Sequence, residues 1–373
     1  MFRVTKQDWR GDAEDWHKMK IAIVTFAWSK NYGAALQAYA LQSILKGFGN
    51  EVFIVPINPE RRHGLFRRFI GRGFYATWRK SKEWLLFRSF DAFRRKYYDF
   101  AGLNWGDYAD FMSTCPKADM FIVGSDQVWN LSVMQSSLEE DFYFLKMCPD
   151  SVRRVAYAAS WALPEISGEA EARLAPALRK FHSISVRERS GVDIVQHMGI
   201  FAEWLPDPTI LLTAREWVER LSLNVSSKKT LFVYQLSWDS DFDCVMAAKR
   251  IGCEKGLSVC DSYPCGWKFL SPCKWVETLA SSSHVITNSY HGTVFSILFH
   301  VPFSVVLING RFSGMNERVV ALLERVGLMS RIVRRPEEIV ENMDRQIMWA
   351  AVDKELGKWR EEAFGFLDRA CAK

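Results

Sequence analysis

Short apolar runs alternate with amphipathic stretches along most of the chain. Residues 21–26, Ile-Ala-Ile-Val-Thr-Phe, read as a buried strand. A helix opens at Asn31. Leu36, Tyr39, Ala40, Ser43 and Ile44 mark one face of it, and Gly47 and Gly49 end it. Residues 52–57 form a second strand, so the chain begins with a β-α-β unit. Such units build doubly wound sheets, whose ligands sit at the carboxyl ends of the strands. Further buried strands follow at 120–123, 153–160 and 183–186. Two prolines flank Asp207 in the stretch 203–209, and a polar run covers 224–229. Together they mark a boundary. The alternation then restarts, with strands near 231–236 and 257–260 and helices near 241–255 and 273–281. Val285 and Ile286 end another strand. Thr287, Asn288 and Ser289 suit a turn or a helix N-cap. Val294, Ile297, Leu298 and Val301 then recur at i, i+3, i+4 and i+7, one face of a helix. Pro302 closes it, residues 303–308 give the next strand, and 336–373 read as helical.

The fold class expected is α/β, with two Rossmann-like domains facing a cleft. Residues 19–205 form the first domain, with a helical insertion at 61–100, and residues 206–335 form the second. Residues 336–373 would cross back onto the first half, and residues 1–18 would be a disordered extension. At 373 residues the chain is comfortable for two domains. Its 49% hydrophobic and 25% charged residues are those of a soluble globular protein. No run of eighteen uncharged apolar residues offers a spanning helix. The first eighteen residues mix both charges without an apolar centre, unlike a signal peptide. The eight cysteines include five between Cys244 and Cys273, none spaced C-x-x-C. They read first as free thiols of a reducing cytoplasm, with a zinc site as the less favoured alternative.

Charge is unevenly spread. Residues 61–100 hold twelve Lys and Arg against three acidic residues, a balance of +9 in a chain of net +6. Aromatic residues are interleaved with them. One reading is amphipathic helices meeting an anionic membrane surface or an anionic ligand. The other has the aromatics packed on the sheet and the arginines merely solvated.

Candidate chemistry gathers at strand ends. His291 and Gly292 would lie at the mouth of a helix, where unpaired N–H groups and the dipole favour anions. Gly292 has no side chain to block a ligand, and the alternative is an ordinary turn with a surface histidine. Ser125 and Asp126 follow the strand at 120–123. Asp126 there can exchange a proton, or simply cap a short helix. Arg187 ends the strand at 183–186 and presents a planar fork suited to phosphate or carboxylate. Alternatively, Arg187 and Glu188 are a functionless surface pair. The loop from Ala27 to Gly33 walls the cleft, but it lacks G-x-G-x-x-G, so no dinucleotide is indicated. No nucleic-acid partner is expected.

In order, the chain carries Asn31-Tyr-Gly, Phe121-Ile-Val-Gly-Ser-Asp-Gln-Val-Trp-Asn130, Tyr157-Ala-Ala-Ser, Ser185-Val-Arg-Glu, Asp207-Pro-Thr and Thr287-Asn-Ser-Tyr-His-Gly-Thr. It thereby resembles the polysaccharide pyruvyl transferase family from about residue 19 to residue 331. The resemblance implies a shape similar to GT-B glycosyltransferases. It also implies transfer of pyruvate from phosphoenolpyruvate to a sugar as a ketal. Some members carry an arginine two positions before the motif histidine, where this chain has Ser289. The chemistry needs an acid, a base and cations for phosphate and carboxylate, and no metal or cofactor if arginines and a helix N-terminus neutralise the charge. His291 is expected in proton transfer or phosphate contact, Asp126 in general acid/base work and Arg187 at the donor's anionic groups. Asn31, Tyr32, Gly33, Ser125, Asn130, Asn288, Ser289 and Gly292 are expected around the substrates. The acceptor would be a glycan or lipid-linked sugar, and the protein cytoplasmic or peripheral at the inner membrane face. Two other readings stand beside this one: a nucleotide-sugar glycosyltransferase of the same shape, and a non-catalytic glycan-binding or assembly protein.

Overall fold

The computed structural model describes residues 18–57, 74–100, 117–134 and 136–372. The expected extension 1–18 falls outside this range except for Lys18, as do residues 61–73 of the basic insertion.

The first sheet is built from β1 (Lys20–Val24), β2 (Glu51–Ile54), β3 (Met120–Val123), β4 (Arg153–Ala159), β5 (Ser183–Val186) and β6 (Glu203–Trp204). All pairs are parallel, in the order β2-β1-β3-β4-β5-β6. Their near-continuous apolar runs follow from burial on both faces, since the crossover helices cover both sides. These are α1 (Tyr32–Gly47), α2 (Phe74–Tyr97), α3 (Ser137–Tyr143), α4 (Gly168–Leu178) and α5 (Arg189–His197). After β6 come α6 (Pro208–Leu211) and α7 (Ala214–Leu221).

The second sheet holds β7 (Thr230–Tyr234), β8 (Ser258–Ser262), β9 (His284–Thr287), β10 (Phe303–Val306) and β11 (Ile332–Val333), again all parallel, ordered β11-β10-β9-β7-β8. Its helices are α8 (Cys244–Lys255), α9 (Pro272–Ala280), α10 (Tyr290–Leu298), α11 (Asn316–Arg325) and α12 (Pro336–Asp344). The last helix, α13 (Trp349–Cys371), returns to the first sheet. There Trp359 Nε1 donates to Trp204 O at 3.3 Å, and Arg360 Nε to Ile210 O at 2.6 Å. The protein thus has two Rossmann-like domains, each with its strand order reversing once: between β1 and β3, and between β7 and β9. Ligand crevices open at such reversals.

One apolar core runs through both sheets, from Ile21 and Ile122 to Phe232 and Val285. Tyr32 stacks on Trp275 of the other domain, ring centres 5.1 Å apart, so the domains meet along a packed seam.

The part of the basic insertion that the structure describes is the helix α2. Leu86, Phe90 and Phe93 pack inward from it, while Arg88, Arg95 and Lys96 stay exposed. Arg94 departs from the expectation of solvated arginines: it is buried and donates to the carbonyls of Ala27, Trp28 and Ser29 at 2.8, 2.7 and 2.6 Å. It is a structural cation holding the loop before α1. Among the described residues no helix is long and apolar enough to cross a membrane.

Candidate active site between the two domains

Both reversal points deliver their residues to one place. At the end of β3, Gly124 is needed because a Cβ there would overlap the Tyr157 carbonyl oxygen of β4. Asp126 follows with φ 68°, in the left-handed region that a non-glycine residue rarely occupies. No helix follows it within 127–134, so the capping role is excluded. Instead its main-chain oxygen accepts from Val128 N and Ser160 N at 2.8 and 3.0 Å, fixing the turn. At the end of β9, Ser289 caps α10 by accepting from Gly292 N at 3.3 Å. That leaves His291 in the first turn. It is 5% exposed rather than on the surface.

Asp207 is the hub. It is fully buried, and its Oδ2 accepts from Arg187 Nη1 at 2.6 Å and from Ser125 Oγ at 2.9 Å. Its Oδ1 accepts from Thr209 N and Oγ1 at 3.0 and 2.7 Å. His291 Nε2 lies 3.6 Å from the same Oδ2, too far for a normal hydrogen bond but close enough for charge to act. Burial pushes the Asp207 carboxyl upward, but His291 and Arg187 outweigh it and hold it well below the usual carboxylate range. The aspartate read as part of a linker therefore joins the first domain's arginine to the second domain's histidine. Arg187 also reaches Asp126 Oδ1 at 3.5 Å. Burial alone would lower the Arg187 guanidinium, yet Asp207 and Asp126 raise it above its ordinary value, so it is a permanent cation.

A second cation was not foreseen. Arg318, in the first turn of α11, is buried, with Nη1 3.9 Å from Asp126 Oδ1. Several buried polar atoms here have no partner among the described residues: Tyr290 Oη, His291 Nε2, Arg187 Nε, Arg318 Nε and both ends of the Gln235 amide. Gln235 directly follows β7, at the reversal point of the second sheet. Native interiors rarely leave such groups unpaired, so their concentration is where water or a ligand would be bound.

Other sequence candidates are already engaged. Tyr32 is buried, and its hydroxyl donates to Leu270 O at 2.8 Å, so it belongs to the domain seam. Asn31 caps α1 through Ala34 N at 3.2 Å. Asn288 uses both ends of its amide on the chain after β7, accepting from Leu236 N at 2.7 Å and donating to Ser237 O at 2.9 Å. Asn130 accepts from Ser132 N at 3.0 Å. A Cβ on Gly292 would overlap Thr287 Oγ1, so this glycine serves packing, and its N–H is spent on Ser289. Gly33 faces the His291 ring. Arg187 and Glu188 are not a surface pair, since both are buried. Glu188 Oε1 instead accepts from Trp161 N and Ala162 N at 2.6 and 2.9 Å. Among the described residues no group of three or more His, Cys, Asp or Glu is placed to hold a metal ion.

The arrangement can hold an anion, protonate or deprotonate at Asp126 and His291, and exclude water. The family model described as polysaccharide pyruvyl transferase matches residues 31–309. The chain belongs to that family. No curated protein sequence matches it. Among solved structures it is similar to the UDP-GlcNAc 2-epimerase from Neisseria meningitidis bound to UDP-GlcNAc, at 9% identity, covering 94% of this chain and 99% of that one, with a TM-score of 0.51. It is also similar to Arabidopsis thaliana UGT89C1 complexed with quercetin, at 11% identity, 95% and 100% coverage and a TM-score of 0.48. The glycotransferase of kitacinnamycin gives 12% identity, 95% and 99% coverage and a TM-score of 0.48. The likeness to the epimerase is one of fold, the two-domain GT-B-like architecture.

Proposed function

We propose that this member of the polysaccharide pyruvyl transferase family moves the pyruvyl group of phosphoenolpyruvate onto two hydroxyls of a sugar, forming a ketal. The sugar would belong to a cell-surface polysaccharide or its lipid-linked precursor. The observation that carries the reading is the convergence of Arg187 and Asp126 from the first domain with Asp207, at the boundary, and His291 from the second. A small, doubly anionic donor needs this kind of dry, cationic seam.

The steps follow from the donor's chemistry. A proton from His291 or Asp126 adds to the methylene carbon, which becomes the methyl group, and the neighbouring carbon becomes oxocarbenium-like. A sugar hydroxyl attacks that carbon and gives its proton to the paired base. The carbon–oxygen bond to phosphate breaks, phosphate leaves, and the second hydroxyl adds with loss of its proton. Arg187 balances the donor's negative charge. Asp207 holds Arg187 in place, and its carboxylate lies beside His291.

Saturating phosphoenolpyruvate at 100 times its dissociation constant should add about 2.7 kcal/mol of stability. With the right sugar, inorganic phosphate should be released. If a nucleotide sugar raises the melting temperature while phosphoenolpyruvate leaves it unmoved, the chain is a glycosyltransferase instead. If neither is turned over and glycan binding survives loss of His291 and Asp126, it is a binding protein. A lipid-linked acceptor would bring the protein to the inner face of the membrane, and the exposed Arg88, Arg95 and Lys96 of α2 support that contact. Equal sedimentation with anionic and neutral vesicles at low salt would remove it.

A further inference from the structure

Arg318 lies in the first turn of α11, just after a 3-10 turn, Gly310–Met315, that lies against the first domain near Ala162 O. It is 4% exposed and its Nε has no hydrogen-bond partner among the described residues. Its guanidinium carbon lies 6.0 Å from the centre of the Tyr290 ring, and that of Arg187 lies 4.7 Å from the same ring. Two buried cations from different domains therefore share one aromatic ring. They also share one carboxylate, Asp126 Oδ1, at 3.5 Å from Arg187 and 3.9 Å from Arg318. Both distances exceed the roughly 2.7–2.9 Å of a charge-assisted hydrogen bond. The Gln127 amide stands 3.0 and 3.3 Å from the Arg318 nitrogens, where its oxygen suits them, but it brings no charge. Asp207 is occupied by Arg187, Ser125 and Thr209. Burial, and then the nearby Arg187, push Arg318 down to about 10, so its charge is held at a cost. Ser289, two positions before His291, carries no charge and is spent on capping.

We propose that Arg318 and Arg187 form an anion clamp straddling the domain seam, with Arg318 the cation contributed by the second domain. The inference rests on the donor reading above for its ligand: one guanidinium suits the phosphate and the other the carboxylate of the same small molecule. Donor binding then ties the two domains together through charge as well as packing. Arg318 is a specificity residue in this scheme, because a donor with one anionic group engages only half of the clamp.

The test is calorimetric titration of the full chain and of Arg318→Met and Arg318→Lys with phosphoenolpyruvate, pyruvate and inorganic phosphate. Arg318→Met should weaken phosphoenolpyruvate about 10- to 100-fold, the loss of one charge-assisted hydrogen bond, with Arg318→Lys between it and the parent. Pyruvate and phosphate should each weaken less. If Arg318→Met does not fold, Arg318→Lys carries the test, since it keeps the charge and loses only the fork. Folded variants that bind phosphoenolpyruvate within two-fold of the parent would overturn the clamp. A parent that ignores phosphoenolpyruvate yet binds phosphate in an Arg318-dependent way would overturn the donor reading and leave the clamp standing.

Discussion

His291 of the second domain lies flat against Gly33 of the first, so that a Cβ on Gly33 would overlap Nδ1, Cγ and Cε1 of the imidazole. Gly33 sits in the first turn of α1, where replacing glycine by alanine ordinarily stabilises a helix by up to about 1 kcal/mol. Here the opposite is expected. Gly33→Ala should displace the His291 ring, lower the melting temperature and reduce turnover together. A more stable variant with full activity would show that the ring has room to move and that the contact does not position it.

The proposed acid/base pair and its hub should separate by what they damage. His291→Gln and Asp126→Asn should lower turnover by roughly 10²- to 10⁴-fold with small changes in stability. Asp207→Asn should lower both, since it leaves the buried Arg187 without its closest carboxylate, a loss of about 3–5 kcal/mol. The Asp207 carboxyl is held below its unfolded value near 4. Its contribution is therefore complete above about pH 4 and is lost as the pH falls further, so Asp207→Asn should also flatten the acid limb of the stability profile. Turnover unchanged in His291→Gln, with folding confirmed, removes that residue from the mechanism.

His284 offers a second pH signature, away from the site. It is completely buried, with Nε2 3.0 Å from Ser304 Oγ and Nδ1 without a hydrogen-bond partner among the described residues. Burial, aided by Arg331, pushes it down to about 3. Between its ordinary value near 6.5 and that figure the unfolded chain binds a proton and the native chain does not, so protons favour unfolding across the interval. Stability should fall by up to about 5 kcal/mol as the pH drops through this window, and His284→Gln should remove that part of the slope. Denaturation midpoints measured from pH 4 to 8 decide it, and identical slopes for parent and variant refute it.

The strands were legible because parallel strands covered on both faces must be apolar runs, and those runs also announced where candidate side chains could project. Asp126, Arg187 and His291 were singled out in that way, and the structure brings them together. Asp207 was read as linker because Pro-Asp-Pro is turn chemistry; its burial arises only when α6 docks on the first sheet. Arg318 was not singled out: Asn316-Glu-Arg carries no motif, and its nearness to Asp126, 192 positions earlier in the chain, is a long-range contact. Tyr32 and Asn288 were given to the substrate because the partners that consume them, Leu270 and Leu236, lie 238 and 52 residues away. Local pattern places a residue at a strand end, but it does not reveal which distant main-chain groups have already claimed it.

Arg94 tests whether the loop before α1 is held in place from outside the site. The residue is 2% exposed, and three carbonyls, of Ala27, Trp28 and Ser29, take its N–H groups, while Nη1 pairs with Asp91 at 2.8 Å. That loop leads directly to the Asn31 cap and to Gly33, which faces His291. Arg94→Ala would leave three carbonyls without their donor, at a cost on the order of 3 kcal/mol. The start of α1 would lose its anchor with them. Arg94→Lys keeps the charge but can serve the carbonyls from one nitrogen only, so it should recover part of the stability and less of the activity. Exposed neighbours on the same helix, Arg88 and Arg95, should tolerate alanine with changes within about 0.5 kcal/mol. If Arg94→Ala is as benign as Arg88→Ala in both melting temperature and turnover, α2 is not a brace for the site, and the loop is held by the backbone contacts of β1 and α1 alone.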